Sequence, residues 1–110
     1  MAEPSVLSED EIGSELATLE GWELRDARLR KQFTFRTFLR AMAFVNSVAY
    51  VAESAGHHPD ITINYNKVTL RVITHSEGAL TDRDFALARQ IDEKLTTKLM
   101  IQPGGEEASS

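Results

Sequence analysis

The sequence predicts an α+β fold in which three helices pack on one face of a four-stranded antiparallel sheet. Apolar residues recur at three- and four-residue steps in three segments, which is the helical period. They alternate with polar residues in four other segments, and these strand-like segments come in two pairs joined by short turns. Paired strands with short turns are antiparallel, and the helices must bury their apolar sides against the sheet. The predicted order is α-β-β-α-β-β-α.

The first helix is predicted to begin after Ser8, which forms a capping box with Glu11. Gly21 is expected to end it. The apolar positions of this helix lie on one side: Ile12, Leu16 and Leu19.

A β-hairpin follows, because the strand-like segments WEL and RLRKQFTF flank a turn at Asp26-Ala27. The apolar residues of its second strand alternate on one face: Leu29, Phe33 and Phe35. The basic residues of that strand are interpreted as a solvated face, since charge on an exposed strand discourages aggregation. These are Arg28, Arg30 and Lys31.

The second helix is predicted to begin after the N-cap residue Thr37 and to end near Gly56, which suits the left-handed position after a helix. Its length is roughly four to five turns. The predicted buried side is formed by Phe38, Met42, Val45, Val48 and Ala52.

Alternation returns after Pro59, where DITINY and KVTLRV are typical of two strands. The turn between them is predicted at Asn66-Lys67, because asparagine tolerates the left-handed backbone of tight turns. The four-stranded sheet has open edges, so we expect sheets to pair between subunits and the protein to form a homodimer or homotetramer.

The third helix is predicted to begin after Thr81, which forms a second capping-box pair with Asp84. Its buried side is predicted to contain Phe85, Ala88, Ile91, Leu95 and Leu99. Pro103 marks its end. A single domain is therefore predicted over residues 1–102, followed by a flexible C-terminal tail over residues 103–110.

Composition and charge narrow the function classes. The 110 residues are 42% hydrophobic and 26% charged, as in ordinary folded domains, and the net charge of -5 argues against a nucleic-acid binder. The longest apolar stretch is too short to span a membrane, and the N-terminus lacks the pattern of a secretory signal. The absence of cysteine excludes disulfide and thiol chemistry, and the cytoplasm is the expected location.

The three histidines are the candidate chemical groups. His57 and His58 lie between the predicted end of the second helix and the third strand, and His75 follows the fourth strand. Because the third and fourth strands form a predicted hairpin, all three histidines can meet at its open end. Glu53 precedes them by one helical turn, and Asp84 lies at the start of the third helix.

Such a cluster suits proton transfer, because imidazole both donates and accepts protons near neutral pH. A metal site is the competing interpretation, since histidines and a carboxylate are common ligands. Adjacent side chains in an extended segment point to opposite sides, however, which makes joint ligation by His57 and His58 awkward. No metal or cofactor is therefore predicted, and neither a nucleophile elbow nor a phosphate-binding glycine loop occurs.

The spacing of these residues resembles the signature of the pterin-4a-carbinolamine dehydratases. The pattern runs Glu53-x-x-x-His57-His58-Pro59 and continues through Tyr65, His75 and Asp84. The similarity extends through GWELRDARLRKQFTF, YNKV and LTDRD, so that it covers nearly everything from Gly21 to about Leu95. The resemblance implies the same order of helices and strands as the periodicity predicts.

The resemblance implies dehydration of 4a-hydroxytetrahydropterin, the 4a-carbinolamine, to quinonoid dihydropterin. This family recycles tetrahydropterin for aromatic amino-acid hydroxylases, so a functional link to such a hydroxylase is implied. From the net charge and the short apolar stretches, no nucleic-acid or membrane partner is expected. The implied catalytic residues are His57, His58 and His75, of which His58 chiefly binds and orients the pterin. The implied substrate-binding residues are Glu53, Trp22, Thr74 and Asp84.

By the same resemblance, Glu53 is expected to bind the amino-pyrimidine edge, Trp22 to offer an aromatic wall, and Asp84 to orient His75 or contact the site. Which histidine acts as the acid stays open. The family often has an acidic residue at the position of Gly56 and an aromatic residue at that of Ile61. An alternative function is a regulatory scaffold, because animal relatives also act as dimerisation cofactors for a homeodomain transcription factor.

Overall fold

The structure, a computed structural model, describes residues 4–94, and the order of elements is the predicted one. Its helices are α1 (Glu9–Leu16), α2 (Phe38–Ala55) and α3 (Asp82–Ile91). Its strands are β1 (Glu23–Arg25), β2 (Arg28–Thr34), β3 (Asp60–Asn64) and β4 (Lys67–Val72). The four strands form one sheet in the order β1-β2-β4-β3, and every neighbouring pair is antiparallel. The predicted α+β class is therefore confirmed.

One hydrophobic core lies between the sheet and the helices. The two central strands, β2 and β4, direct alternate side chains into it, and α2 and α3 supply the opposing apolar sides. Phe44 of α2 packs between two aromatic rings, with ring-centroid distances of 4.6 Å to Phe33 and 5.0 Å to Phe35. The core therefore fixes α2 above β2 and β4, and the end of α2 leads into the histidine segment.

The buried side of α2 is partly the predicted one: Val48 and Ala52 are buried as predicted, whereas Phe38, Met42 and Val45 are not fully buried. The residues that α2 buries are Ala41, Phe44, Val48 and Ala52. Phe38 is 49% exposed, and Met42 and Val45 are only partly buried. The sequence of α2 is apolar on more than one side, so periodicity alone permits several buried stripes; the fit of Phe44 against Phe33 and Phe35 decides between them.

The two hairpin turns also test the prediction. Asp26 and Ala27 both have positive φ, 53° and 64°, as a two-residue turn of type I′ requires, and this turn is confirmed. The second turn consists of Tyr65 and Asn66 instead of Asn66-Lys67, because Lys67 already pairs with Asn64 in the β3–β4 ladder. Tyr65 takes the positive φ of 55°, and the Asn66 side-chain amide donates to the Phe35 carbonyl at 2.7 Å.

Two further predictions are corrected. Helix α1 ends at Leu16, well before Gly21, although Leu19 beyond its end is still buried. Lys31 is not on a solvated face, because it lies opposite Leu70 on the core side of the sheet. Its Nζ atom is 3.1 Å from Asp92 Oδ1 and 4.9 Å from the centroid of the Phe33 ring. A lysine can occupy this position because its apolar stem packs on the rings while its charge is paired.

Several predictions lie outside the described residues. These concern Leu95, Leu99 and Pro103, the domain boundary at residue 102 and the tail over residues 103–110. Within residues 4–94, no helix combines the length and the apolar character that crossing a bilayer requires.

Candidate active site

The open end of the β3–β4 hairpin brings the three histidines to one cavity. Asp60 pairs with Arg71 at this end, so the residues before β3 and those after β4 are neighbours. The cavity has a volume of about 200 Å³, and its lining includes Gly56, His57, His58, Thr74, His75 and Arg83. The three histidines therefore lie together at the open end of the hairpin, as predicted.

Gly56 and Pro59 separate the two adjacent histidines from the helix and the strand. Gly56 ends α2 with a left-handed backbone, φ 66° and ψ 29°, and the His57 amide donates to the Ala52 carbonyl at 3.1 Å. This arrangement closes the helix and turns the chain away from its axis. His57 is then 9% exposed, whereas the side chain of His58 is 60% exposed. The two imidazoles occupy different environments, as adjacent residues of an extended segment must.

His57 is held by a fully buried carboxylate. Its Nε2 atom lies 2.6 Å from Oδ1 of Asp84, a residue of the first turn of α3 that has no solvent exposure. A short hydrogen bond between two buried groups is geometrically restrictive, because neither partner can rotate towards water. Asp84 therefore contacts His57. The alternative expectation, that Asp84 orients His75, is not supported by any contact among residues 4–94.

The second carboxylate oxygen of Asp84 has two donors. Oδ2 accepts from the Thr74 hydroxyl at 2.8 Å and from the Thr81 backbone N–H at 2.8 Å. The hydroxyls of Thr74 and Thr81 are 2.6 Å apart, and both side chains are buried. Asp84 thus serves as the predicted capping-box residue of α3 and also joins α3 to His57.

The other two histidines are more accessible. His58 Nε2 is 2.6 Å from Glu53 Oε2, in a pair whose side chains are 60% and 76% exposed. His75 is exposed in a tight turn that is held by hydrogen bonds from the Thr74 amide to Ala79 O at 3.2 Å and from the Gly78 amide to Thr74 O at 2.9 Å. Within residues 4–94, the His75 ring has no hydrogen-bond partner, which leaves it available to a molecule in the cavity.

Two predicted binding residues have structural contacts of their own. Trp22 is buried in the core, where its Nε1–H donates to Asp92 Oδ2 at 3.0 Å and its ring meets Phe33 edge to face. It is not among the residues that line the cavity. Thr74 does line the cavity, but its hydroxyl donates to Asp84.

Two residues of the site were missed by the sequence reasoning. Thr81 was interpreted only as a helix cap, yet its hydroxyl also contacts Thr74. Arg83 lies beside Asp84 in the LTDRD segment and lines the cavity. The signal for both was their position next to a candidate site residue at a helix start. The residues 4–94 contain no group of three or more histidine, aspartate or glutamate side chains placed to hold a metal ion.

Comparison with known protein sequences gives one consistent family. The family model described as Pterin 4 alpha carbinolamine dehydratase matches residues 5–94. A Roseiflexus sp. protein provisionally named as a pterin-4-alpha-carbinolamine dehydratase is 52% identical over 87 residues, which cover 79% of this chain and 94% of the relative. A relative from Sulfurisphaera tokodaii with the same provisional name is 46% identical over 90 residues, covering 82% of this chain and 97% of the relative.

Solved structures agree with this family. A crystal structure described as a transcriptional coactivator/pterin dehydratase from Brucella melitensis superposes with a TM-score of 0.77 at 33% identity, covering 81% of this chain and 97% of that one. A pterin dehydratase-like protein described as a RuBisCO assembly factor shares the fold, with a TM-score of 0.53 at 23% identity over 66% of this chain and 83% of that one. From the match over residues 5–94 and the identity to its relatives, the chain belongs to the pterin-4a-carbinolamine dehydratase family.

Proposed function

We propose that this protein dehydrates 4a-hydroxytetrahydropterin to quinonoid dihydropterin by histidine general acid–base catalysis. The observation that carries the proposal is that all three histidines of the chain, His57, His58 and His75, line one cavity. Family membership and the names of the relatives support the same reaction. The reaction serves tetrahydropterin recycling in this proposal.

The reaction needs two proton transfers and no change in oxidation state. The C4a–O bond breaks, and the departing oxygen takes a proton to leave as water. The N5–H proton is lost, and its electron pair forms the C4a=N5 bond of the quinonoid product. One imidazole therefore donates a proton to the departing oxygen, and another accepts the proton from N5. Histidine side chains can do both near neutral pH.

His57 and His75 are the proposed proton-transfer pair. His57 is buried and fixed by Asp84, so that its ring is held in one orientation at the cavity. His75 reaches the same cavity from the loop after β4. Two imidazoles on separate chain segments can approach a bound ring from opposite sides. The side chains of two adjacent histidines point away from each other, so they cannot enclose one ring in this way.

His58 and Glu53 are the proposed binding groups. Glu53 is not among the residues that line the cavity, but its carboxylate lies 2.6 Å from His58, which does line it. Glu53 can accept hydrogen bonds from the amino-pyrimidine N–H groups of a pterin. For Asp84, which is fully buried, we propose action on the substrate only through His57. A contact of Trp22 or Thr74 with the pterin stays a prediction.

The setting of the reaction is also proposed. We expect a homodimer or homotetramer, a cytoplasmic location and a functional link to an aromatic amino-acid hydroxylase. The sequence supports the cytoplasm through the absence of cysteine. The exposed strand edge of β3 supports subunit pairing, because four of its five residues are exposed.

The test is the rate at which the purified protein dehydrates chemically generated 4a-carbinolamine, after subtraction of the spontaneous rate. The variants His57→Ala and His75→Ala are each expected to lower kcat by about 100-fold or more, the usual contribution of a general acid or base. Asp10→Ala, at an exposed position of α1, is the matched control and should keep full activity. An inactive unmutated protein, or full activity in both histidine variants, would refute the proposal.

A second candidate function is protein binding. Leu39 and Tyr50 of α2 are 76% and 78% exposed, and both lie opposite the buried stripe of this helix. The Brucella melitensis protein is described as a transcriptional coactivator as well as a pterin dehydratase. An apolar outer face of this kind suits contact with another helix. The histidine cavity favours catalysis as the primary function, since a scaffold has no use for it.

A further inference from the structure

We infer that Thr74 and Thr81 act as positioning residues: they hold Asp84 as a hydrogen-bond acceptor, and so fix His57 with its proton on Nε2 and with Nδ1 as the nitrogen that exchanges a proton with the substrate. The inference rests on the dehydratase proposed above and names the atom through which His57 works.

The direction of the hydrogen bonds follows from two backbone donors. The Thr81 N–H donates to Asp84 Oδ2 at 2.8 Å, and the Arg83 N–H donates to Thr81 Oγ1 at 3.2 Å. A backbone N–H can only donate, so both oxygens are acceptors in these bonds. Asp84 also lies in the first turn of α3, where free backbone N–H groups of the helix are available to a carboxylate. A carboxylate has no proton to give, so it accepts at each of its contacts.

Only one arrangement of the two hydroxyl protons is then possible. Thr74 donates its single proton to Asp84 Oδ2 at 2.8 Å, and it cannot donate it to Thr81 as well. The contact of 2.6 Å between the hydroxyls must therefore be donated by Thr81. The result is a directed chain from Thr81 through Thr74 to Asp84. Because these side chains are buried, water does not compete for their hydrogen bonds.

The chain of donors determines the tautomer of His57. Oδ2 of Asp84 is occupied by two donors, and Oδ1 faces His57 Nε2 at 2.6 Å. An accepting Oδ1 requires the proton to be on Nε2, so neutral His57 has no proton on Nδ1. The ring lines the cavity, and within residues 4–94 no protein group hydrogen-bonds to Nδ1. Nδ1 is therefore the nitrogen left for the substrate.

The variant Asp84→Asn tests the arrangement most directly. The two donors at Oδ2 require an acceptor there, so the amide oxygen of the new side chain should take that place. Its NH2 group then faces His57 Nε2 and donates to it, which moves the ring proton to Nδ1 and blocks the working nitrogen. A wrong tautomer of this kind lowers kcat severely in serine proteases, so we expect a loss of about 100-fold or more with little change in KM.

The tautomer is read by 15N NMR of the histidine rings without substrate, so this result does not depend on the dehydratase activity. In the unmutated protein, Nε2 should be the protonated nitrogen of neutral His57 and Nδ1 the unprotonated one. In Asp84→Asn, the ring proton of His57 should instead be on Nδ1, and Nε2 should be the unprotonated nitrogen. A proton on Nδ1 in the unmutated protein, or an unchanged tautomer in Asp84→Asn, overturns the inference. Absence of dehydration in the unmutated protein with the expected tautomer refutes only the proposed reaction.

The role of Thr74 is tested by paired variants. Thr74→Val removes the donor to Oδ2 and is expected to lower kcat about tenfold, because the Asp84–His57 pair loses its orientation. Thr74→Ser retains the hydroxyl and should restore kcat. Thr69→Val removes another buried hydroxyl, which contacts Gln32 away from the cavity, and should leave kcat unchanged. Equal losses in Thr74→Val and Thr69→Val, or no rescue by serine, would show a purely structural role; if Thr74→Val does not fold, the NMR results decide.

Discussion

Gly56 shows at the scale of one residue how the backbone sets up the site. Its φ of 66° lies in the left-handed region, and a methyl group added there would meet no atom within 4 Å. Backbone conformation, and not lack of space, therefore favours glycine at this position. Aspartate would be better tolerated here than most residues, because it adopts left-handed backbone more readily.

We therefore predict opposite effects for two glycine substitutions. Gly56→Ala should lower the free energy of unfolding by about 1 kcal/mol, because alanine is strained at positive φ. Gly13→Ala should raise it by about 1 kcal/mol, because Gly13 lies inside α1 with space for a methyl group and alanine favours the helix. Urea denaturation measures both. A stabilising Gly56→Ala would show that the turn after α2 is not held in the left-handed conformation.

The two histidine–carboxylate pairs differ in what they contribute. The distance is 2.6 Å in both, but His57 and Asp84 are buried whereas His58 and Glu53 are exposed. Water and salt weaken an exposed pair, so the contact between Glu53 and His58 can break and each side chain can bind a ligand instead. The buried pair has no such alternative. Sequence spacing predicted both carboxylates near the histidines, but only packing reveals which carboxylate each histidine contacts.

At the scale of elements, the segment before α1 supports the start of α3. Ser5 and Asp82 are joined by two hydrogen bonds, from Ser5 N to Asp82 Oδ1 at 2.9 Å and from Asp82 N to Ser5 O at 3.2 Å. Leu7 N donates to Leu80 O at 3.1 Å, and Val6 lies opposite Thr81 in an isolated bridge. These contacts enclose Thr81, the residue whose amide donates to Asp84.

Removing residues 1–7 should consequently weaken catalysis as well as stability. The loss of these hydrogen bonds is expected to cost about 2 kcal/mol in the free energy of unfolding and to lower kcat several-fold, because Thr81 loses its support. Removal of residues 1–3 is the control, since it leaves all these contacts in place. Thermal unfolding and the dehydration assay give the two readouts. A shortened chain with lower stability and unchanged kcat would separate this segment from the site.

The elements also show what the sequence could predict. Helix caps and hairpins depend on neighbouring residues, so Ser8, Thr37 and Thr81 marked three helix starts correctly. The buried side of α2 depends on distant residues, since Phe44 is selected by its fit between Phe33 and Phe35. The hydrogen bond of Asp84 to His57 crosses 27 positions between different elements. Local patterns placed both residues near the site, but such a contact follows only from the packed fold.

At the scale of the whole molecule, the cavity and the outer side of α2 are separate surfaces. The cavity lies at the open end of the β3–β4 hairpin, and neither Leu39 nor Tyr50 is among the residues that line it. The outer side of α2 has the exposed apolar residues Leu39 and Tyr50. Burial of that side against a second copy is an alternative to the pairing of β3 edges proposed above, because it too would remove apolar surface from water. Assembly and catalysis can therefore be separated by substitution.

The variant Leu39→Asp is predicted to lower the assembled mass while leaving kcat within about twofold, because a charge opposes burial of the α2 face and no cavity residue is altered. Tyr65→Asp is the matched control, since Tyr65 is 67% exposed in the β3–β4 turn and its positive φ suits aspartate.

Ile63→Lys on the edge strand β3 tests pairing between sheets instead. Sedimentation velocity gives the mass of each variant. Dissociation by Ile63→Lys alone would assign assembly to the strand edge, and a monomeric unmutated protein would refute both contacts.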